Sequence, residues 1–299
     1  MTHARAGHDH DLRGAQSKAL WIALTANATF MIVEFVSGVV LGSLALVADA
    51  GHMLSDVGAL AVALVAHKLL VRPPSQRHTY GLQRAEVVGA QLNAVVLLGL
   101  ALWLFVEAIQ RLQDPRDVSG PGLALVAVGG LLVNLGSFAL LRRAQGSSLN
   151  MRGAVLHMAL DAAGSVAALA AGIGIVLWDA GWLDPAATVV IVALLVWSGA
   201  RLLTDATHVL LEGVPRGLDV GAVEAALASD VAVDSVHHLH IWNLASDVPA
   251  LSAHIVVGSE KTLHEAQLHS DRLKSMLGER FGIEHATLEL ECHSCATQT

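Results

Sequence analysis

Charge is what this sequence has least of. Aspartate, glutamate, lysine and arginine together make up 15% of its 299 residues, where soluble globular chains run nearer a quarter. A chain this long could bury a large core, but a soluble one needs more polar surface than this. Cysteine is also scarce. It occurs only as Cys292 and Cys295, close to the C-terminus, which excludes a secreted disulfide framework. Basic residues number 18 against 26 acidic ones, so no overall positive field exists to hold nucleic acid. The opening MTHARAGHDHDLRG is polar and carries three histidines, so it does not read as a cleavable signal peptide. No HExxH or comparable hydrolase signature occurs.

What is present is apolar sequence in long runs. Hydrophobic residues make up 54% of the chain, and most of the excess precedes residue 206. About 20 consecutive, mostly apolar residues suffice to cross a bilayer as a helix. Six runs meet that length: 18–40, 44–70, 86–109, 121–141, 153–178 and 184–204. They are separated by Gly42-Ser43, Arg72-Pro73-Pro74-Ser75, Asp114-Pro115-Arg116, Arg142-Arg143 and Asp179-Ala180-Gly181. The expected fold class is an α-helical membrane protein of six transmembrane helices followed by a small α/β domain. The expected boundaries are 1–16 for a His-containing tail, 17–206 for the membrane domain and 207–299 for a cytoplasmic metal-binding domain.

Basic residues near helix ends mark the cytoplasmic side. Arg5, Arg13 and Lys18, then Lys68, Arg72, Arg77 and Arg84, then Arg142, Arg143 and Arg152 share one side. The other side holds only Arg111 and Arg116, offset by Asp114 and Asp117. Both termini therefore read as cytoplasmic. The tail reads helix, strand, strand, helix, strand: Asp219 to Ala228 behind a cap, Ser235 to Trp242, Ala250 to Val257, amphipathic Lys261 to Leu277 with Gly278 ending it, and Ala286 to Glu291.

Ionisable residues inside apolar helices usually mark a transport path. Helix 2 carries Asp49, His52 and Asp56 in VADAGHMLSD, and helix 5 carries His157 and Asp161 in VLHMALD. Residues four apart share a helix face. If helices 2 and 5 touch, His52, Asp56, His157 and Asp161 supply two imidazoles and two carboxylates, a full tetrahedral shell for Zn(II). Imidazole suits zinc, cobalt, nickel or iron better than magnesium or calcium. The small residues Ala48, Gly51, Ala159, Gly164 and Ser165 would let the helices approach. Metal binding needs neutral histidine and ionised aspartate, so protons and metal compete for one site. Asp49 could tune the site, guide ions toward it, or cap or pack; Glu34 could lie beside the ion path, and Asn27 reads as a packing partner.

The tail has ligands of its own. His237, His254, His269, Glu289 and Glu291 could converge on one sheet edge. Glu289 and Glu291 share one strand face by alternation, whereas His238 and His240 fall on the face opposite His237 in a regular strand. Cys292 and Cys295 form a Cys-x-x-Cys pair able to hold zinc or to cycle as a redox pair. Its terminal position favours metal capture, with His8 and His10 as candidate further ligands.

These residues together resemble the cation diffusion facilitator family, specifically its zinc-exporting branch. The resemblance rests on His52-x-x-x-Asp56, His157-x-x-x-Asp161, the loop His78-Thr79-Tyr80-Gly81 with Arg84 and Glu86, and His237-His238-Leu239-His240-Ile241-Trp242. It covers nearly the whole chain. It implies a homodimer, six spans per subunit, a ferredoxin-like cytoplasmic domain and outward metal–proton antiport. It also implies that His52 favours zinc, and that His237, His254, His269, Glu289 and Glu291 bind metal between the two small domains. Two features depart from the pattern. Of a loop site after helix 2 only His78 remains, and the link between helices 4 and 5 is the short RRAQGSSLN. Short loops point to a bacterial inner-membrane protein. The expected function is proton-coupled zinc export by a secondary transporter that is not an enzyme, with zinc also a probable ligand of the cytoplasmic domain. Export of cobalt, nickel, cadmium or iron, a membrane metal sensor and a membrane metalloenzyme are the alternatives.

Overall fold

Within a bilayer the backbone must satisfy its own hydrogen bonds, and a helix does this inside one run of chain. A computed structural model describes residues 25–70, 75–114, 116–144, 149–245, 248–258 and 262–293. Within the helices, the side chains of 56, 59–70, 140–144 and 149–160 lie outside the description. The apolar runs are helical: α1 (Thr25–Leu41), α2 (Leu44–Leu70), α3 (Ala85–Gln113), α4 (Gly120–Ala144), α5 (Leu149–Trp178) and α6 (Leu183–Leu210). Among the described residues, four segments, Ala85–Gln113, Gly120–Ala139, Asp161–Trp178 and Leu183–Leu210, are long and apolar enough to cross a membrane. The helices outrun the apolar runs at several ends. Helical hydrogen bonding does not require apolar side chains, so α3 continues through Arg111 and α6 through Thr207 and His208.

The described chain forms two compact units, one of residues up to Ala61 with Leu92–Leu202, the other Val62–Gln91 with Leu203 onward. In the first unit Leu44, Leu46, Leu104, Leu123, Ile191 and Leu195 form the heart of the core. The outer faces are just as apolar. Leu92, Leu102, Leu125, Leu132 and Leu177 are all exposed. Water would penalise such a surface, whereas lipid tails solvate it. Gly172 shows how tightly α4 and α5 pack, since a Cβ there would sit 2.7 Å from the backbone nitrogen of Ala124.

The turn from α1 to α2 is fixed by polar contacts. Gly42 ends α1 at φ 71°, a left-handed conformation glycine adopts without strain. Ser43 Oγ then accepts from the Leu46 amide at 3.2 Å. Asp184 of α6 completes the cap. It is fully buried, and it accepts from Ser43 Oγ at 2.5 Å, from the Leu44 amide at 2.8 Å and from the Ala45 amide at 3.2 Å. Arg111 donates to the Gly42 carbonyl at 2.6 Å. A helix start leaves orphan amides that cannot find water among apolar neighbours, and Asp184 takes two of them.

In the second unit the tail contains α7 (Val220–Ala228), β1 (Val233–Ala245), β2 (Val248–Val257), α8 (Leu263–Phe281) and β3 (His285–Glu291). The sheet order is β1-β2-β3, with β1 antiparallel and β3 parallel to β2. Leu227, Ile241, Leu251, Ile255, Leu273, Leu277 and Ile283 fill the space between helices and sheet. Asp219 caps α7 through the Gly221 amide, and Thr262 with Glu265 forms a capping box on α8. Gly278 does not end α8. The helix runs one further turn to Phe281 and stops at Gly282, whose φ of 68° supplies the left-handed cap. Gly278 lies within the helix because nothing there requires a positive φ.

Replacing Asp184 with alanine strands Ser43 and two buried amides. Thermal unfolding in detergent is expected to show a loss of about 2–4 kcal/mol, and wild-type stability would refute the capping role.

Candidate metal centres

The four-residue spacing predicts that one face of α2 meets one face of α5, and the described side chains show that contact. His52 Nε2 lies 3.4 Å from Asp161 Oδ1, and both residues are buried. Ligand atoms around one zinc ion, each about 2.1 Å from it, stand about 3.4 Å apart. The pair is therefore spaced as two ligands of one ion. Asp56 and His157 stand one helical turn along α2 and α5, and their side chains lie outside the described ones.

The same helices meet again three residues away, running in opposite directions. Ser165 of α5 donates to Asp49 Oδ2 of α2 at 3.2 Å, and Asn134 of α4 donates to Ser165 Oγ at 3.3 Å. Gly164 makes room, because a Cβ there would meet Asp49 Oδ1 at 2.6 Å. Glu34 of α1 is fully buried beside Asp49. Asn27 donates to Ser137 Oγ at 3.0 Å, which is the packing role its sequence setting suggests.

The second centre is a product of strand register. His237 pairs with His254 across β1 and β2, and His254 pairs with Glu289 across β2 and β3. Glu291, two residues further on β3, lies on the face of Glu289. His254 Nδ1 is 2.7 Å from Glu291 Oε1, His237 Nε2 is 3.3 Å from Glu291 Oε2, and His254 Nε2 is 3.5 Å from Glu289 Oε2. One donor atom each from His237, His254 and Glu291 falls within 4.8 Å of the others, the only such group of three or more among the described residues. Two imidazoles and carboxylate oxygen at these separations suit zinc or another borderline transition metal.

One strand departs from the regular alternation expected of it. Between His237 and His240 of β1 stand three steps, opposite two between His254 and Ser252 of β2, which is a β-bulge. His238 takes up the extra residue at φ 49°. Its ring consequently lies 5.2 Å from that of His237 and 5.0 Å from that of His254. His238 therefore joins the histidine cluster instead of facing away from it. The bulge leaves no composition signal, so the doubled histidine was the only hint.

Two other expected tail ligands fall elsewhere. His269 sits on α8 and is not part of the group. Cys292 is exposed with Sγ 3.3 Å from His293 Nδ1 and likewise joins no such group, while Cys295, His8 and His10 lie outside the described residues. In the loop before α3, His78 is exposed and accepts and donates backbone hydrogen bonds with Ser75 at 3.0 and 3.1 Å. Arg84 pairs with Glu212 at 3.0 Å.

Comparison with known proteins gives a consistent picture. Residues 20–211 match the cation efflux transmembrane domain, and residues 215–293 match the cytoplasmic domain of cation efflux proteins. The chain is 39% identical over 290 residues to the metal cation efflux system protein CzcD of Cupriavidus metallidurans, covering 97% of this chain and 91% of that one. It is 39% identical over 290 residues to the zinc transporter ZitB of Pectobacterium atrosepticum, covering 96% and 89%. It is 37% identical over 288 residues to a cadmium, cobalt and zinc/H(+)-K(+) antiporter of Bacillus velezensis, covering 95% and 92%. The chain belongs to the cation efflux, or cation diffusion facilitator, family and is a membrane transporter of metal cations.

Proposed function

We propose that the protein exports Zn(II) from the cytoplasm in exchange for protons, as a secondary transporter and not an enzyme. The observation that carries this reading is the buried approach of His52 to Asp161 between α2 and α5. Opposite-running contacts at Asp49 with Gly164 and at His52 with Asp161 set a register. Continued by one turn, it brings position 56 level with position 157. The proposed transport site is thus His52, Asp56, His157 and Asp161, two imidazoles and two carboxylates. Zinc accepts that set at four-coordinate geometry. Each imidazole must be neutral and each carboxylate ionised to bind it, so an arriving proton displaces the metal.

The names of relatives support this choice without deciding it for this chain. One is a zinc transporter, and another a cadmium, cobalt and zinc antiporter working against protons and potassium. Cobalt and cadmium are accordingly the competing cargoes. In this reading 1–16 is a cytoplasmic tail, 17–206 holds six spans, and 207–299 is a ferredoxin-like cytoplasmic domain. The crossover β2–α8–β3 beside the β1–β2 hairpin supports that last assignment. The chain works as a homodimer, supported by the match to the cytoplasmic domain of the family. Both termini face the cytoplasm of a bacterial inner membrane, in accord with the basic residues of the loops. His237, His254, Glu291 and Glu289 hold a second metal ion in the cytoplasmic domain, with His238 beside them. His269, Cys292 and Cys295 remain candidate outer ligands of this domain in the assembled dimer.

Two measurements test these assignments. In proteoliposomes with an imposed pH gradient, Asp161→Asn is expected to lower zinc flux at least about tenfold. Wild-type flux in that variant would overturn the membrane site, and faster cobalt or cadmium flux in the unaltered protein would overturn the choice of zinc. In equilibrium dialysis of the full chain, His237→Ala is expected to weaken one class of zinc sites by about 10–100-fold and leave the other class intact. Unchanged binding in both classes would remove the cytoplasmic centre.

A further inference from the structure

Glu34 stands on α1, a helix that carries no proposed metal ligand, and it is fully buried. Neither of its carboxyl oxygens meets a hydrogen-bond donor among the described residues. Its polar neighbour is the buried carboxyl of Asp49 on α2. Two ionised carboxylates have only acceptors to offer each other.

Among the described residues, none supplies a hydrogen to Glu34. Asn134 donates to Ser165, and Ser165 donates onward to Asp49 Oδ2. That chain is spent on Asp49. Gly130 leaves the space in which Glu34 lies: a Cβ there would be 3.5 Å from Glu34 Oε1, 3.2 Å from Ser165 Oγ and 3.0 Å from the Phe30 ring. Among the described residues, Ser165 and Asp161 from α5 and His52 from α2 face Asp49, with Asn134 of α4 behind Ser165. No lysine or arginine is among them. Two adjacent carboxylates with no lysine or arginine beside them repel each other strongly in an apolar interior. A single hydrogen shared between them resolves the conflict, since it converts acceptor–acceptor contact into a charge-assisted hydrogen bond.

We propose that Glu34 and Asp49 form a proton-binding site of their own, bridging α1 and α2, and that this pair carries a counter-proton separately from the metal ligands. The inference rests on the proton-coupled reading above and adds a place for the proton. The pair accepts one proton and loses one negative charge, and on release that proton returns to water on the opposite side. No other bond changes. Asp49 lies one turn from His52 on the same helix, so displacement of α2 during exchange moves Asp49 relative to Glu34 and opens the shared bond. The exchanger then has two proton stores, one that metal displaces directly and one that responds to movement of the helix.

The test compares the unaltered protein with Glu34→Gln and Glu34→Asp. Zinc binding is measured in detergent, and protons moved per zinc are measured in proteoliposomes containing a trapped pH dye. Glu34→Gln is expected to bind zinc within about threefold of the unaltered protein while proton movement per zinc falls to about half or less. Glu34→Asp keeps a carboxyl and is expected to restore much of the ratio. A Glu34→Gln protein with the unaltered ratio overturns the proposal. So does a variant that loses zinc binding outright, because Glu34 would then serve the metal site. Infrared difference spectra of the unaltered protein provide a reading that needs no variant. Zinc addition is expected to change the C=O stretch of a buried protonated carboxyl, and absence of that band also overturns the proposal. If the unaltered protein moves no protons against zinc, the coupled reading fails first, whatever the carboxyl band shows.

Discussion

A carboxylate or imidazole among aliphatic side chains has to be given something in place of water. That constraint organises the membrane-embedded half of the molecule. Asp184 receives the amide hydrogens at the start of α2. Asp49 receives the hydroxyl of Ser165, itself held by Asn134. His52 and Asp161 are placed where one divalent ion can satisfy both. Each solution draws its partner from a different helix, so the polar groups also specify which helices touch. Small residues make these meetings possible. Gly164 against Asp49 and Gly172 against the Ala124 backbone are positions where even one methyl group would intrude.

The two proposed metal centres would gather their ligands in two different ways. On α2 and α5 the helical repeat does it, with ligand positions recurring every fourth residue on a packed face. In the tail it is the register between strands. His237, His254 and Glu289 fall in one row across three strands, and Glu291 follows at the period-two position. The first arrangement is enclosed by helices. In the second, His237 and His254 are half-buried and Glu289 is exposed, so its ligands can exchange with water and metal from the surrounding solution.

The helices of the membrane part, and the approach of His52 to Asp161, are legible because their signals are periodic. Apolar runs of sufficient length and a repeated His-x-x-x-Asp need no knowledge of the rest of the chain. The start of α7 is readable to within one residue, since capping is local chemistry: the sequence puts a cap before Asp219, and Asp219 is itself the cap. What could not be read depends on non-local geometry. Gly278 and Gly282 look alike in the sequence, yet only Gly282 takes the left-handed conformation that ends α8. His238 does not take the face that regular alternation gives it, because a bulge inserts one residue without changing composition. Asp184 carried no visible partner, for its contacts lie on the α1–α2 turn far away along the chain. The company of Glu34 and Asp49 was hidden for the same reason: it exists only once α1 and α2 pack together.

The Asp184 cap has a geometric consequence. A helix rises about 1.5 Å per residue, so His52 stands roughly 12 Å from the capped start of α2 at Leu44 and roughly 27 Å from its other end at Leu70. Because the cap ties that start to α6, it acts as a fixed datum from which the depth of the ion is measured. In the proposed transport site an ion at His52 would therefore sit off-centre along α2, nearer its capped end than its other end.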